Sequence, residues 1–169
     1  MPVDFTAFYR ETFAPVWRVL SRLGVRPAEL DDAAQNVYLT AYRRLGEFRG
    51  QSTLKTWVLG IAVRVASDTR RTRQRKPEHP LDETVPDAAR TPLEAASQAE
   101  ALALVARIVE SFPEERRDVF VLAEFEELTA PEIADSLGVN VNTVYSRLRL
   151  ARRDFEAALE AHDPGRGAP

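Results

Sequence analysis

Apolar residues recur at spacings of three and four along most of the chain, which indicates amphipathic helices. The first run follows Asp4, whose carboxylate is suited to cap a helix start, and Pro15 is expected to kink or restart this helix. Residues 24–27 are a predicted turn. The apolar positions of the first helix are Phe5, Phe8, Phe13, Val16, Trp17, Leu20 and Leu23.

Two further helices are predicted before residue 77. Asp31 and Asp32 open the second helix, and a loop with two glycines follows at residues 46–51. Ser52 is suited to cap a long third helix, which begins apolar and ends strongly basic at Lys76. The buried positions of these two helices are predicted to be Ala34, Val37, Tyr38, Ala41, Leu45, Leu54, Trp57, Val58, Ile61, Ala62 and Val65.

Residues 77–92 have four prolines, several acids and almost no periodicity, which predicts a linker. This acidic segment is either disordered or able to lie in a basic groove of a partner. Residues 93–111 predict a fourth helix, Pro113 opens a fifth, and residues 163–169 are expected to be disordered. The predicted fold class is all-α, with small helical domains at residues 1–76 and 93–162 joined by the linker.

Residues 129–155 predict two helices joined by a tight turn. Thr129 and Glu132 form a T-x-x-E capping box at the start of the first helix, and Gly138 supplies the left-handed residue that ends it. Asn140 or Asn142 can cap the second helix. A short helix, a turn with glycine and a longer basic helix are typical of a DNA-binding helix-turn-helix.

The second of these helices has two chemically different faces. Val144, Leu148, Ala151 and Phe155 fall on the core side at about 100° per residue. The opposite face consists of Asn142, Ser146, Arg149 and Arg153, with Tyr145 and Leu150 on its flanks. Asparagine, serine and arginine can contact base edges in a major groove, while Arg147 and Arg152 lie toward the phosphates. The alternative interpretation is an amphipathic helix with a solvated basic face.

Composition excludes several other kinds of function. The 169-residue chain has no cysteine and two histidines, so a disulfide framework or a thiolate metal site is excluded and a histidine metal site is not favoured. No cofactor, metal or small-molecule substrate is expected. Neither a signal peptide nor a membrane-spanning run is evident, so we expect a cytoplasmic protein without direct membrane insertion.

Charge is distributed unevenly along the chain. Residues 1–76 have 14 basic and 7 acidic side chains, whereas residues 77–162 have 8 basic and 18 acidic ones. Positive charge is concentrated at residues 64–76 and 147–153. This distribution favours a protein that contacts DNA at two places and offers acidic surface to a protein partner.

Three assignments in the first half have alternatives. The outward face of the second helix, with Leu39 among polar groups, is either a contact surface or an ordinary helix surface. The basic end of the third helix is either a DNA contact or a solvated segment. Near the loop, Thr53, Lys55, Thr56 and Trp57 have the chemistry to hold an unstacked base, although core packing is the favoured interpretation for Trp57.

The order of these parts resembles the extracytoplasmic-function (ECF) sigma factors of bacterial RNA polymerase, over roughly residues 5–160. In the first half the resemblance rests on DDAAQNVYLTAYRRL, which is similar to the family's polymerase-binding helix, and on FRGQSTLKTWVLGIAVRVASDTRR, which is similar to its -10 segment. In the second half it rests on FPEERR and LTAPEIADSLGVNVNTVYSRLRLARRDF, similar to the -35 domain. Asn36, Arg64 and Asn142 depart from the usual family residues.

The resemblance implies a function and three groups of site residues. The first domain would bind core RNA polymerase and unpaired -10 DNA, the second would bind the -35 element, and an anti-sigma factor would control both. The implied -35 residues are Asn142, Thr143, Tyr145, Ser146, Arg147, Arg149, Arg152 and Arg153. The implied -10 residues are Phe48, Ser52, Thr53, Lys55, Trp57, Arg64, Asp68, Arg70 and Arg71. The implied polymerase-binding residues are Asp31, Asp32, Gln35, Asn36, Tyr38, Leu39 and Arg43.

Three other functions remain as alternatives at this point. A stand-alone helix-turn-helix regulator of an operator would explain residues 129–155 but would leave the first half without a task. A helical enzyme lacks a nucleophile–base set, a glycine-rich phosphate loop and metal-spaced ligands. A protein-interaction module would leave the Asn142, Ser146 and Arg149 face unused.

Overall fold

The computed structural model describes residues 3–76 and 92–162, with the backbone alone at residues 92 and 95. The described part of the chain is α-helical apart from its turns and one short 3-10 turn at Leu45–Glu47, so the predicted all-α class is confirmed. The helices are α1 (Phe5–Arg22), α2 (Pro27–Arg44), α3 (Leu54–Arg75), α4 (Pro92–Glu110), α5 (Glu114–Glu124), α6 (Ala130–Leu137) and α7 (Val141–His162). Of the linker expected at residues 77–92, residue 92 belongs to α4 and the rest lies outside the described residues, as does the tail expected at residues 163–169.

Helix α1 begins as predicted but does not break at its proline. The Asp4 carboxylate accepts hydrogen bonds from the backbone N–H groups of Thr6 (3.0 Å) and Ala7 (3.2 Å), which satisfies two donors at the helix start. Pro15 lies inside the helix and is buried. The predicted restart is therefore wrong, because core packing of this face outweighs the missing backbone hydrogen bond.

Helix α2 begins four residues earlier than predicted. Pro27 occupies the first turn, where a missing N–H costs nothing. The Glu29 carboxylate accepts a 3.1 Å hydrogen bond from the Arg26 backbone N–H. Asp31 and Asp32 consequently lie on the exposed surface of the second turn and do not open the helix.

Two other helix starts differ from prediction by one residue. The cap of α3 is Thr53, whose hydroxyl accepts a 3.0 Å hydrogen bond from the Thr56 backbone N–H, and not Ser52. Pro113 precedes α5 as its cap residue and is not its first helical residue. Serine and threonine are both suited to cap a helix, so the sequence pattern alone does not decide between Ser52 and Thr53.

The helix-turn-helix has the local geometry that its sequence predicts. The Thr129 N–H donates to the Glu132 carboxylate at 2.8 Å, and the Glu132 N–H donates to the Thr129 hydroxyl at 3.4 Å. Gly138 ends α6 at φ +67°, in the left-handed region that glycine tolerates best. Of the two candidate caps for α7, Asn140 is the one in place, with its side-chain oxygen 2.8 Å from the Asn142 N–H.

A continuous hydrophobic core joins the two halves of the molecule. Helices α1, α2 and α3 pack around one another, α5 and α6 pack on α7, and α6 also packs against α3. Ile133 of α6 and Leu59 of α3 are both fully buried members of one apolar cluster. Helix α3 is therefore covered by α1 and α2 on one side and by α6 on another. This packing fixes the helix-turn-helix relative to the first three helices.

Replacing Thr129 with alanine should destabilise the protein by about 1 kcal/mol, because the capping box loses a side-chain acceptor. Urea unfolding followed by circular dichroism measures this change. Thr72→Ala, on the exposed part of α3, is the control and should have a much smaller effect. Equal effects of the two substitutions would show that the box contributes nothing beyond ordinary surface packing.

Candidate nucleic-acid interface

Helix α7 presents the polar face that the sequence predicts. Val144, Leu148 and Ala151 are buried, which turns the opposite side of the helix outward. Tyr145 has 56% of its surface exposed. Asn142, Ser146 and Arg149 are exposed beside it, and Thr143 is half-buried. This face has the donors, acceptors and aromatic ring needed to contact base edges.

The arginines of α7 differ in their partners. Arg147 pairs with Glu115 at 3.0 Å, Arg152 with Glu124 at 2.6 Å and Arg153 with Asp154 at 3.1 Å. Arg149 forms no ion pair with the described residues. The guanidinium of Arg149 is thus available to a ligand, whereas each of the other three is already paired with a carboxylate.

The start of α3 and the loop before it form a second group of candidate residues. The rings of Phe48 and Trp57 pack with their centroids 5.4 Å apart, and both are half-buried. Thr53 is exposed while Ser52 and Lys55 are half-buried. Thr56 is 1% exposed and hydrogen-bonded to Thr53, so the expectation that it contacts a base is wrong.

The basic end of α3 is divided between exposed and occupied side chains. Arg64, Asp68 and Arg71 are exposed. Arg70 has only 12% of its side chain exposed, pairs with Glu114 at 3.0 Å and donates a hydrogen bond to the Leu23 carbonyl. Of the predicted -10 residues, Arg70 therefore also has a structural role between the two halves.

The outward face of α2 forms a third surface. Leu39 is 47% exposed, and it is surrounded by exposed polar side chains at Asp31, Asp32, Gln35, Asn36 and Arg43. Tyr38 differs from this group because it is 6% exposed and its hydroxyl lies 3.0 Å from that of Thr12. The ring of Tyr38 therefore supports this surface from beneath.

An aromatic groove beside α2 was missed by the sequence reasoning. It has a volume of about 480 Å³ between α1 and α2. Tyr42 is 67% exposed and packs edge-on against Phe5, and Tyr9 packs against Tyr38 at 4.6 Å. The sequence contained a signal for this groove. Tyr42 lies seven residues after Gln35 and three after Leu39, which places it on the same face of α2.

Asp118 of α5 is a half-buried carboxylate near Arg70 of α3 and Arg147 of α7. Burial raises the pKa of Asp118 to about 7, the nearby Arg70 opposes this rise, and Glu114 adds to it. The Asp118 Oδ1 atom is buried without a hydrogen-bond partner among the described residues. In contrast to Asp118, Glu114 has a lowered pKa, because its carboxylate accepts a hydrogen bond from Ser67.

The described ranges, residues 3–76 and 92–162, contain no group of three or more potential metal-ligating side chains. None of the helices in these ranges combines the length and the apolar character that a membrane span requires.

Two family descriptions match the chain, one in each half. "Sigma-70 region 2" matches residues 8–76, and "Sigma-70, region 4" matches residues 102–155. The RNA polymerase sigma-H factor of Pseudomonas aeruginosa is 34% identical over 143 residues, covering 78% of this chain and 74% of that protein. The chain belongs to the sigma-70 family. It is a member of the ECF group, as the sequence resemblance predicted.

A further relative supports this assignment, and two solved structures share the fold. The ECF RNA polymerase sigma-E factor of Escherichia coli K12 is 33% identical over 146 residues, which is 80% of this sigma factor and 76% of that one. CnrH in complex with the cytosolic domain of CnrY has the same fold, with a TM-score of 0.71 and 23% identity over 93% of this chain and 88% of that one. RpoE of Bartonella quintana, in complex with the anti-sigma factor NepR, has a TM-score of 0.75 and 16% identity, over 93% of this chain and 97% of that one.

The raised pKa of Asp118 predicts a pH-dependent stability. Since its ordinary pKa is near 4, the unfolded chain ionises this group first, and the folded sigma factor loses stability as pH rises from about 4 to about 7. Asp118→Asn should therefore melt at a similar temperature to the parent near pH 4 and at a higher temperature at pH 8.

Thermal unfolding at several pH values measures this difference. Asp135→Asn, at an exposed carboxylate on α6, is the matched control for an Asp-to-Asn substitution at a helix surface. A difference between Asp118→Asn and the parent that stays constant from pH 4 to pH 8 would contradict the burial of an ionisable Asp118.

Proposed function

We propose that this sigma factor binds core RNA polymerase and directs transcription initiation at promoters that contain a -10 and a -35 element. The observation that carries the proposal is the exposed Asn142, Ser146 and Arg149 face on a helix-turn-helix, together with a separate basic helix in the same chain. The function is that of an initiation factor and not of an enzyme, and it is exercised in the bacterial cytoplasm, where the polymerase acts.

The -35 element is the proposed ligand of α7. A recognition helix enters the major groove and contacts bases near its N-terminal end, where Asn142, Tyr145 and Ser146 lie. Arg149 has the fork geometry that suits guanine. Thr143, Arg147, Arg152 and Arg153 flank this face and are proposed to contact the backbone, as phosphate contacts fix the position of a DNA-binding helix.

Unpaired -10 DNA is the proposed ligand of the loop before α3 and of the exposed side of that helix. Phe48 and Trp57 offer partly exposed rings on which a base can stack. Ser52, Thr53 and Lys55 add polar groups beside them, and Arg64 and Arg71 add positive charge along the helix. Asp68 lies on the same exposed face of α3 and is part of the proposed -10 site.

Core polymerase is the proposed partner of the α2 surface. Leu39 supplies exposed apolar area in the middle of a polar rim, which is the usual composition of a protein interface. Asp31, Asp32, Gln35, Asn36 and Arg43 form that rim. Tyr42 extends the surface toward the aromatic groove.

The proposed division of the chain follows these ligands. Residues 1–76 serve the polymerase and the -10 element, residues 93–162 serve the -35 element, and residues 77–92 connect them. An anti-sigma factor is a proposed regulator, since the structures of CnrH and RpoE that share this fold contain a second protein.

Run-off transcription with purified core polymerase and a library of promoter sequences tests the proposal. Transcripts that require this protein and share two spaced elements would support it. If the protein alone binds duplex operators tightly and no transcript appears, an autonomous regulator would replace the proposed function.

Replacing Arg149 with alanine should weaken binding to the -35 element by roughly 1–3 kcal/mol and relax selection at one base pair. Competition binding against single-base variants of the element measures both effects. Arg10→Ala, an exposed arginine on α1, should change neither. If all DNA sequences lose the same affinity, Arg149 is a phosphate contact and not a base contact.

Replacing Gln35 and Leu39 together with alanine should weaken polymerase binding at least tenfold, because the centre of the α2 surface loses its apolar contact. Affinity measured with labelled core polymerase provides the readout. Glu156→Ala with Leu159→Ala is a matched double truncation on α7. Unchanged affinity of the α2 variant would place the polymerase interface elsewhere.

A further inference from the structure

A cavity where α1, α4 and α5 meet combines positive charge with apolar walls. Its volume is about 400 Å³, which lies within the range of about 300–1,000 Å³ that is typical of small-molecule sites. Residues of α1, the turn that follows it, α3, α4 and α5 contribute to the lining. None of these residues belongs to the proposed DNA or polymerase surfaces, so the cavity is available to a different ligand.

Positive charge exceeds negative charge in the lining. Its charged side chains are Arg22, Arg26, Arg73, Arg117 and Glu110. Arg73 is paired with Glu29 and donates a 2.9 Å hydrogen bond to the Gly24 carbonyl. The other three arginines form no ion pair with the described residues. The cavity therefore favours an anionic ligand.

Arg22 shows most clearly that a counter-ion is needed. Its guanidinium lies 4.2 Å from the centre of the Phe125 ring. The nearby Glu126 carboxylate already accepts two hydrogen bonds from Arg18, at 3.0 Å and 2.9 Å. Burial lowers the pKa of Arg22, and the negative charge of Glu126 opposes this effect. An anion in the cavity would stabilise the charged form that burial disfavours.

Arg117 adds a second cation whose position is fixed by the backbone. Its Nη2 atom donates hydrogen bonds to the carbonyls of Glu110 (2.8 Å) and Phe112 (3.0 Å). Burial lowers the pKa of Arg117, and the nearby Arg70 lowers it further. Because carbonyls and not a carboxylate hold this guanidinium, its positive charge still contributes to the cavity.

The rest of the wall is apolar. Val25 and Val109 are buried, with 3% and 2% of their surface exposed. Val105 and Phe125 are half-buried, and Leu102 is 66% exposed. A ligand chain or ring that covers these last three side chains would remove apolar surface from water, which favours binding.

We propose that this cavity binds a small amphipathic carboxylate, with its charged head at Arg22 and Arg26 and its apolar body along Leu102, Val105 and Phe125. Guanidinium groups form paired, charge-assisted hydrogen bonds with carboxylates. A singly charged head suits the site, because Glu110 lies in the same lining. Binding of such a metabolite is an activity beyond promoter recognition and does not depend on it.

Isothermal titration calorimetry of the full-length protein with decanoate, kept below its micelle concentration, tests the proposal. Decanoate combines one carboxylate with a saturated chain, and we expect saturable binding of one molecule per chain. Decanol has the chain without the charge, and acetate has the charge without the chain. Each should bind at least roughly tenfold more weakly than decanoate.

Replacing Arg22 and Arg26 together with glutamine should weaken decanoate binding by roughly tenfold or more, because glutamine keeps polar groups but removes the charge. Arg10→Gln with Arg75→Gln is the matched control. Both of these arginines are exposed and lie outside the lining, so the control variant should bind decanoate with the affinity of the parent.

Ala106→Phe tests the apolar part of the site. Ala106 is an exposed member of the lining, so a larger side chain there should fill the cavity and exclude decanoate. Ala103→Phe is the matched control, because Ala103 is also exposed on α4 but lies outside the lining. Circular dichroism checks that each variant is folded. If the double arginine variant loses its helical signal, Ala106→Phe decides the question.

Three results would overturn the proposal. The first is the absence of saturable decanoate binding to the parent protein. The second is binding of decanol or acetate as tight as that of decanoate, because the site would then not require both a charge and an apolar body. The third is unchanged decanoate affinity in the folded cavity variants, which would place the bound molecule elsewhere on the protein.

Discussion

The contact between α3 and α6 is the constraint on which the arrangement of this protein depends. Helix α3 is covered on one side by α1 and α2, and at Gly60 its backbone meets that of α6. Since packed backbones cannot slide without losing this fit, the recognition helix is held in one orientation. In the same arrangement Glu114 of α5 lies beside Arg70 at the basic end of α3.

The distribution of arginine partners links this arrangement to DNA binding. Arg149 faces outward without an ion pair among the described residues, whereas Arg70 and Arg147 are paired with Glu114 and Glu115 of α5. Acidic side chains of one helix thus neutralise cations from two candidate DNA surfaces. The Arg70 side chain is 12% exposed, so its pair with Glu114 is largely shielded from solvent, whereas Glu115 is 72% exposed and its pair with Arg147 contributes little stability.

The sequence was sufficient for the helices, the turn at Gly138 and the polar face of α7, since each depends on local spacing and capping. Some of its errors occurred where packing decided the outcome. Pro15 remains inside α1 because its face is buried, and Thr56 is 1% exposed with its hydroxyl bonded to that of Thr53. The role of Arg70 was not predictable, because its partner Glu114 is 44 positions away in sequence and lies in the other half.

The position of the two tryptophans provides a means of observing the shared core. Trp17 and Trp57 both lie in the first three helices, and Trp57 is packed against Phe48. Indole fluorescence therefore reports on one half of the molecule, while the far-ultraviolet signal reports on all of its helices. Because one apolar cluster spans both halves, the two signals distinguish a molecule that unfolds as a unit from one whose halves melt separately.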